Sequence, residues 1–244
     1  MFSKRNYDHT HLPYKIELEI TTDCNLRCLN CDRSCRQAPS SECMTLDQVK
    51  RFVAESLEFE HKWSKIVLLG GEPTLHPDLL EMIDAISQYK IKNRYCRVAV
   101  YSNGFTEESR AMLTKLPGFV RTNHKVKTSA VNKFNCYNVA PVDYGLKATF
   151  CDIPWRCGCA LTRYGYFPCG AGAALARVYG FDIGVKKLQD LTVERFFKQL
   201  AILCQYCGHA PTELRHSTTQ AEMSKSWVEA YAQYKVQKPN LTLY

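Results

Sequence analysis

The sequence predicts an α/β protein: a shortened, partial β/α barrel followed by a small cysteine-rich extension made of a β-hairpin and a helix. Three observations predict it. From Tyr14 to about Val131, short apolar runs alternate with amphipathic helical stretches, the rhythm of parallel β/α units. After about residue 132 that rhythm stops, and cysteine, glycine and aromatic residues crowd together. A last stretch with helical spacing then closes the chain. The boundary falls near 140, giving residues 1–140 as the core and 141–244 as the extension.

The elements follow in order. Lys15 to Thr21 (KIELEIT) reads as the first strand. Met44 to His61 reads as a helix opened by Thr45, with Gln48 three residues later completing a capping box; Val49, Phe52, Val53, Ser56 and Leu57 share one face. Lys65 to Leu69 (KIVLL) has the unbroken apolar character of a strand buried on both faces, and Gly70-Gly71 ends it. Pro77 is suited to be the first residue of a helix reaching about Tyr89, with Leu79, Leu80, Ile83 and Ile86 inward. Arg97 to Tyr101 is the third strand, Ser102-Asn103-Gly104 a turn, Thr106 to Leu116 a helix, and Phe119 to Ser129 holds a fourth strand. Asn138 to Ala148 has room for a degenerate strand. Leu161 to Pro168 reads as a hairpin turning near Gly165. Leu191 to Leu203 is helical again, and Thr219 to about Val236 is a final amphipathic helix stopped by Pro239.

Composition narrows the class. The 244 residues are 45% apolar, enough for one substantial core rather than a disordered chain. No apolar run is long enough to span a membrane and the first residues lack the apolar stretch of a signal peptide, so a cytoplasmic location and no membrane partner are expected. The net charge of +8 comes from scattered residues, not from a basic run with interleaved aromatics, which argues against a nucleic-acid partner. Thirteen cysteines are far too many for an ordinary cytosolic protein, and an odd number cannot all pair within the chain. Metal ligation is the better explanation.

Directly after the first strand, Cys24, Cys28 and Cys31 are spaced Cys-x3-Cys-x2-Cys. Three thiolates on one loop can hold three irons of a cubane and leave the fourth iron open to an incoming ligand. Together with Gly70-Gly71-Glu72-Pro73 at the next strand end, this loop resembles the radical S-adenosylmethionine superfamily. The resemblance implies a partial barrel of that family, a SAM-binding 4Fe–4S cluster on Cys24, Cys28 and Cys31, and contacts from Gly70, Gly71 and Glu72 to the cofactor's methionine. Tyr101-Ser102-Asn103-Gly104 is similar to the family's following strand end, which implies ribose or carboxylate contacts from Ser102 and Asn103. Asn30 stands where the family usually has an aromatic residue against the adenine. A zinc site, with Cys35 as a fourth ligand, is the alternative for this loop.

Farther along, Cys151, Cys157, Cys159 and Cys169 surround the hairpin and Cys204-Gln205-Tyr206-Cys207 supplies a Cys-x2-Cys pair. This resembles the twitch domain, a shortened relative of the SPASM domain, and implies a second, auxiliary 4Fe–4S cluster on Cys169, Cys204, Cys207 and one earlier cysteine, Cys151 first and Cys157 next. Zinc is again the alternative, since four cysteines suit both metals. Arg156, Arg163, Tyr164 and Tyr166 flank this region as candidate substrate contacts, and Cys35 and Cys43 are candidate hydrogen-atom donors. His76, His124, His209 and His216 show no metal-ligand spacing.

The resemblance implies reductive cleavage of S-adenosylmethionine to a 5′-deoxyadenosyl radical. That radical takes hydrogen from a small polar metabolite, for oxidation or rearrangement, with electrons from a donor such as flavodoxin or ferredoxin. Modification of a ribosomally made peptide and epimerisation with a cysteine donor are the enzymatic alternatives. A nonenzymatic electron carrier or zinc module is the alternative of another class. Oligomeric state is not set by the sequence.

Overall fold

A computed structural model describes residues 10–28, 31–35, 38, 40–122, 127, 151–209 and 224–244. The first strand, β1 (Lys15–Thr21), alternates in a way its position explains. Ile16, Leu18 and Ile20 face one side of the sheet, while Glu17, Glu19 and Thr21 face the other, and all six are buried. β2 (Lys65–Gly70), β3 (Arg97–Val100) and β4 (Val120–Thr122) follow β1 outward in parallel.

Between them run α1 (Leu46–Glu58), α2 (Leu79–Lys92) and α3 (Glu107–Thr114). The capping box is formed: Thr45 Oγ1 accepts from Gln48 N and Gln48 Oε1 accepts from Thr45 N. Val49, Phe52, Met82, Ile83 and Ile86 pack with Ile16, Leu18, Ile20, Ile66, Leu68, Val98 and Val100 into the outer core. Removing this much apolar side chain from water is the dominant stabilising term, about 25 cal/mol per Å².

The second helix departs from expectation. Its cap is Asp78 and Pro77 lies outside it, because Pro73–Leu75 first makes a 3₁₀ turn and His76 organises the entry. Asp78 N donates to His76 Nδ1, so the remaining ring proton is on Nε2 and bonds Met44 O at 3.0 Å. Leu80 is only half-buried, and Met82 and Tyr89 join the inward face instead.

The chain re-enters the same sheet after residue 151. A one-turn helix α4 (Ile153–Arg156) leads to β5 (Cys159–Thr162), which pairs in parallel with β1 on the side away from β2. β6 (Gly165–Phe167) returns antiparallel to β5, so the hairpin turn is Arg163-Tyr164 and Gly165, at φ +115°, starts the second strand. The described residues form one six-stranded sheet in the order β4-β3-β2-β1-β5-β6. It is an α/β fold with a parallel-rich sheet, as a partial barrel requires, and residues on either side of the predicted boundary share it.

α5 (Gly170–Tyr179) is a helix where the sequence shows no clear periodicity, because GAGAALARVY is small and apolar nearly all round. It is buried on most sides: β5, β6, α6 (Val193–Leu203) and α7 (Lys225–Val236) surround it. Ala173, Ala176, Phe167, Trp227, Tyr231 and Tyr234 make this second core, over the inner face of β5. The expected strand at Asn138–Ala148 and the start of the last helix at 219–223 lie outside the described residues. Among the described residues no helix is long and apolar enough to cross a membrane.

Candidate functional site

The loop carrying Cys24, Cys28 and Cys31 leaves the C-terminal end of β1, and the end of β2 is clamped beside it. Gly71 N donates to Thr21 O at 2.8 Å and Glu72 N to Asp23 O at 2.6 Å. The two glycines are required by that approach: a Cβ on Gly70 would stand 2.2 Å from Thr21 O, and one on Gly71 would stand 2.0 Å from Asp23 O. Gly70 also has φ +150°.

Glu72 is fully buried, and its carboxylate ties its own turn to the Ser102–Gly104 turn. Oε1 accepts from Thr74 N and Thr74 Oγ1, at 3.1 and 2.7 Å, and Oε2 accepts from Asn103 N at 2.8 Å. Asn103 Nδ2 donates to Asn25 Oδ1 at 2.8 Å and reaches Cys24 Sγ at 4.0 Å. Thus the first cysteine loop, the Gly-Gly-Glu strand end and the Ser102–Gly104 turn, far apart in sequence, form one hydrogen-bonded unit. Ser102 is buried, and its Oγ accepts from Gly104 N.

Cys28 is buried and Cys24 and Cys31 are half-buried. Burial pushes the Cys24 thiol up to about 12, and the neighbouring Cys31, Glu72 and Cys28 act in the same direction. A thiolate there needs a cation close by, which iron supplies, so the donor set fits an iron–sulfur cluster. Cys35 lies behind the loop with its thiol hydrogen-bonded to Cys31, an interaction that lowers the Cys31 pKa. Cys43 is paired across from Thr21, and its thiol donates to Thr21 Oγ1 at 3.3 Å. Asn30 lies outside the described residues, as do His124 and His216.

A second group of thiols gathers at the N-terminus of α5. Cys169 caps that helix, its Sγ accepting from Gly172 N at 3.3 Å. Burial drives its thiol pKa well up, and Cys151, Cys207 and Cys204 lie near enough to add to the rise. The four thiols line one cavity with Pro154, Leu203 and His209. Among the described residues no three His, Cys, Asp or Glu side chains converge as the ligands of one metal ion would.

Of the earlier cysteines, Cys151 lines this cavity and Cys157 does not. Cys157 sits at the end of α4, where Glu17 and Arg33 are its charged neighbours. Cys159 is in β5, wholly buried in the outer core, its thiol pushed up to about 12 by burial.

Of the other candidates, Tyr166 faces the outer core, where its OH donates to Glu55 Oε2, and Arg156 is at the surface pairing with Asp152. Tyr164 faces inward and donates to Glu42 Oε2 at 2.8 Å. The sequence reading missed a buried charged group on the inner face: Glu17 with Arg33 at 2.6 Å, and Glu19 and Glu42 with Arg177 at 3.8 and 4.0 Å. One signal was available. A central parallel strand should be apolar on both faces, and glutamates at alternate positions of KIELEIT mark an inner face lined for polar contact.

Residues 18–132 match the model of the Radical SAM superfamily. A probable GTP 3',8-cyclase of Methanococcus maripaludis (strain C5) is 35% identical over 111 residues, 46% of this chain and 35% of the relative. One from Methanocaldococcus jannaschii is 31% identical over 113 residues, 46% and 36% of the two chains. The chain thus spans about a third of the length of these curated relatives. Among solved structures, BtrN in complex with AdoMet and 2-DOIA aligns with 88% of this chain and 96% of its own at 16% identity and a TM-score of 0.46. Streptococcus suis SuiB bound to S-adenosylmethionine aligns with 48% and 24% at 16% identity and a TM-score of 0.35. The radical SAM domain indicates an enzyme whose cofactors are a 4Fe–4S cluster and S-adenosylmethionine.

Proposed function

We propose that this enzyme, whose residues 18–132 are a radical SAM domain, abstracts hydrogen from a small polar metabolite to oxidise or rearrange it. The observation that carries the proposal is the single unit formed by Cys24, Asn25, Glu72 and Asn103, which joins the three-cysteine loop to the Gly-Gly-Glu strand end. When bound, the cluster and S-adenosylmethionine supply one electron and a 5′-deoxyadenosyl radical that takes a hydrogen atom from carbon.

The chain's own contribution is geometry. Cys24, Cys28 and Cys31 would hold three irons. Gly70 and Gly71 bring backbone, without side chains, to the place where the methionine part would lie. The buried Glu72 carboxylate fixes Asn103 and, through it, the cluster loop, so the reactants meet in one orientation. The inner face carrying Glu17 and Glu19 would face the substrate.

Cys151, Cys169, Cys204 and Cys207, which line one cavity, would hold a second 4Fe–4S cluster, with zinc as the alternative for a four-cysteine set. For an alcohol oxidation the balance then closes. Once the carbon-bound hydrogen atom and the hydroxyl proton are gone, one electron is left over, and a cluster held by Cys151, Cys169, Cys204 and Cys207 would supply the acceptor for it. A low-potential one-electron donor such as flavodoxin or ferredoxin supplies the first electron. GTP belongs in the substrate panel, because the curated relatives bear the name GTP 3',8-cyclase.

The test is anaerobic reconstitution, reduction with dithionite and quantitation of 5′-deoxyadenosine. Release by the wild-type enzyme and loss in Cys28→Ser is expected; no release from protein with an intact first cluster would overturn the proposal.

A further inference from the structure

The buried charges of the inner face are unequally satisfied. Glu42 Oε2 accepts from Tyr164 at 2.8 Å, and its Oε1 lies 2.5 Å from Lys238 Nζ as an ion pair. Glu17 is held by Arg33 at 2.6 Å. Glu19 and Arg177 differ. Their side chains are 5% and 3% exposed, yet Glu19 Oε2 and Arg177 Nε and Nη1 have no hydrogen-bond partner among the described residues. Arg177 is fixed at its other end, where Nη2 donates to Arg33 O on the cluster loop.

An acceptor and two donors left unused in the interior are costly, because each has given up its hydrogen bonds to water without replacement. Such groups are retained where something else completes them. Both line one cavity, bounded also by Thr22, Met44, Tyr164 and Glu42, with room for one water-sized group. Glu19 is in register with Leu69, the residue before Gly70 on β2, so the cavity is one strand away from the Gly-Gly-Glu segment.

The chemistry selects the guest. A phosphate or carboxylate entering here would set its charge against Glu19 and Glu42, and an ammonium would meet Arg177, in each case without solvent to screen the repulsion. A carboxamide would need both its oxygen and its NH2 here to serve the two partners, more than one water-sized group. A hydroxyl replaces one water, donates to Glu19 Oε2 and accepts from Arg177.

We infer that Glu19 and Arg177 together grip one hydroxyl group of the substrate, which is an alcohol-bearing small molecule. This rests on the proposed function for calling the guest a substrate, but the site itself is testable separately.

The probes are 1,2-propanediol, propionate and propylamine, each presented to anaerobic holoenzyme. Crystals soaked in the diol should show its oxygen within hydrogen-bond distance of both Glu19 and Arg177, and saturation-transfer NMR should show diol binding weakened about tenfold in Glu19→Gln and Arg177→Gln. A water alone in the cavity after soaking, propionate or propylammonium there in place of the diol, or undiminished binding in folded variants would each overturn the inference. The wild-type soak decides the matter even if the variants fail to fold. Holoenzyme that binds the diol here but never releases 5′-deoxyadenosine retires the proposed reaction and leaves this site standing; the converse result retires the site alone.

Discussion

Replacing Gly71 with alanine tests whether the cysteine loop depends on backbone contact with the next strand end. The new Cβ would lie 2.0 Å from Asp23 O, 2.6 Å from Asp23 C and 2.9 Å from Thr22 O, all backbone atoms with no flexible end to yield. Opening the shortest contact to the roughly 3.3 Å usual for carbon against carbonyl oxygen demands a shift of about 1.3 Å. The bonds Gly71 N to Thr21 O and Glu72 N to Asp23 O, now 2.8 and 2.6 Å, would then lie near or beyond the limit of hydrogen bonding. Two backbone hydrogen bonds at about 1 kcal/mol each and an overpacking strain of about 1–3 kcal/mol sum to about 3–5 kcal/mol. For a chain of this size the melting temperature should fall on the order of 10 °C. Because the displaced atoms are those of the cluster loop, iron should be lost at the first site while the second is retained. Anaerobic melting with iron and sulfide determination, repeated in a variant already lacking the second site, reads both effects. A Gly71→Ala protein with full iron and a melting temperature within about 2 °C of wild type would refute the reasoning.

Other perturbations separate the remaining elements. Cys204→Ser or Cys207→Ser should lower reconstituted iron from about eight to about four per chain, whereas Cys157→Ser should leave it unchanged; the measurement is iron per protein after anaerobic gel filtration. Thr45→Ala removes the capping box and should cost about 1 kcal/mol, read as a melting shift of about 2–4 °C, with 5′-deoxyadenosine release unaltered. Glu72→Gln leaves an amide NH2 facing one of the N–H donors the carboxylate now satisfies, and should depress 5′-deoxyadenosine release more than it depresses iron content. Cys96 is buried in the outer core and its thiol is pushed up to about 11 by that burial. The unfolded thiol ionises first, near 9, so its contribution is complete below that pH and is lost as pH rises through about 11. Thermal melts between pH 8 and 11 should fall more steeply in wild type than in Cys96→Ala, and parallel curves would dismiss the effect.

Much of the site was legible because its parts are local. Cys24, Cys28 and Cys31 sit on one loop, Gly70 and Gly71 end one strand, and Thr45 with Gln48 starts one helix; each signal is complete within a few residues. For the second thiol group the sequence favoured Cys151 over Cys157 without deciding between them. Cys151 and Cys157 are both in reach along the chain, and only the path through α4 into β5 turns Cys157 toward Glu17 and leaves Cys151 with Cys169, Cys204 and Cys207. Helix α5 was missed because burial on most sides removes the polar face from which periodicity is read. Pro77 was misplaced because His76 and the 3₁₀ turn take over the start of the second helix.

The sequence by itself determined the β/α rhythm, the three-thiol loop and the glycines that accompany it, since spacing and backbone sterics act over short distances. Only the tertiary structure decided that β5 returns to pair with β1, and with it which residues meet inside. Glu19 and Arg177 are separated by most of the chain, and nothing local to either marks the other as its partner. Their pairing exists because β1 lies beside β5 in the sheet and α5 packs against β5, which buries both side chains together.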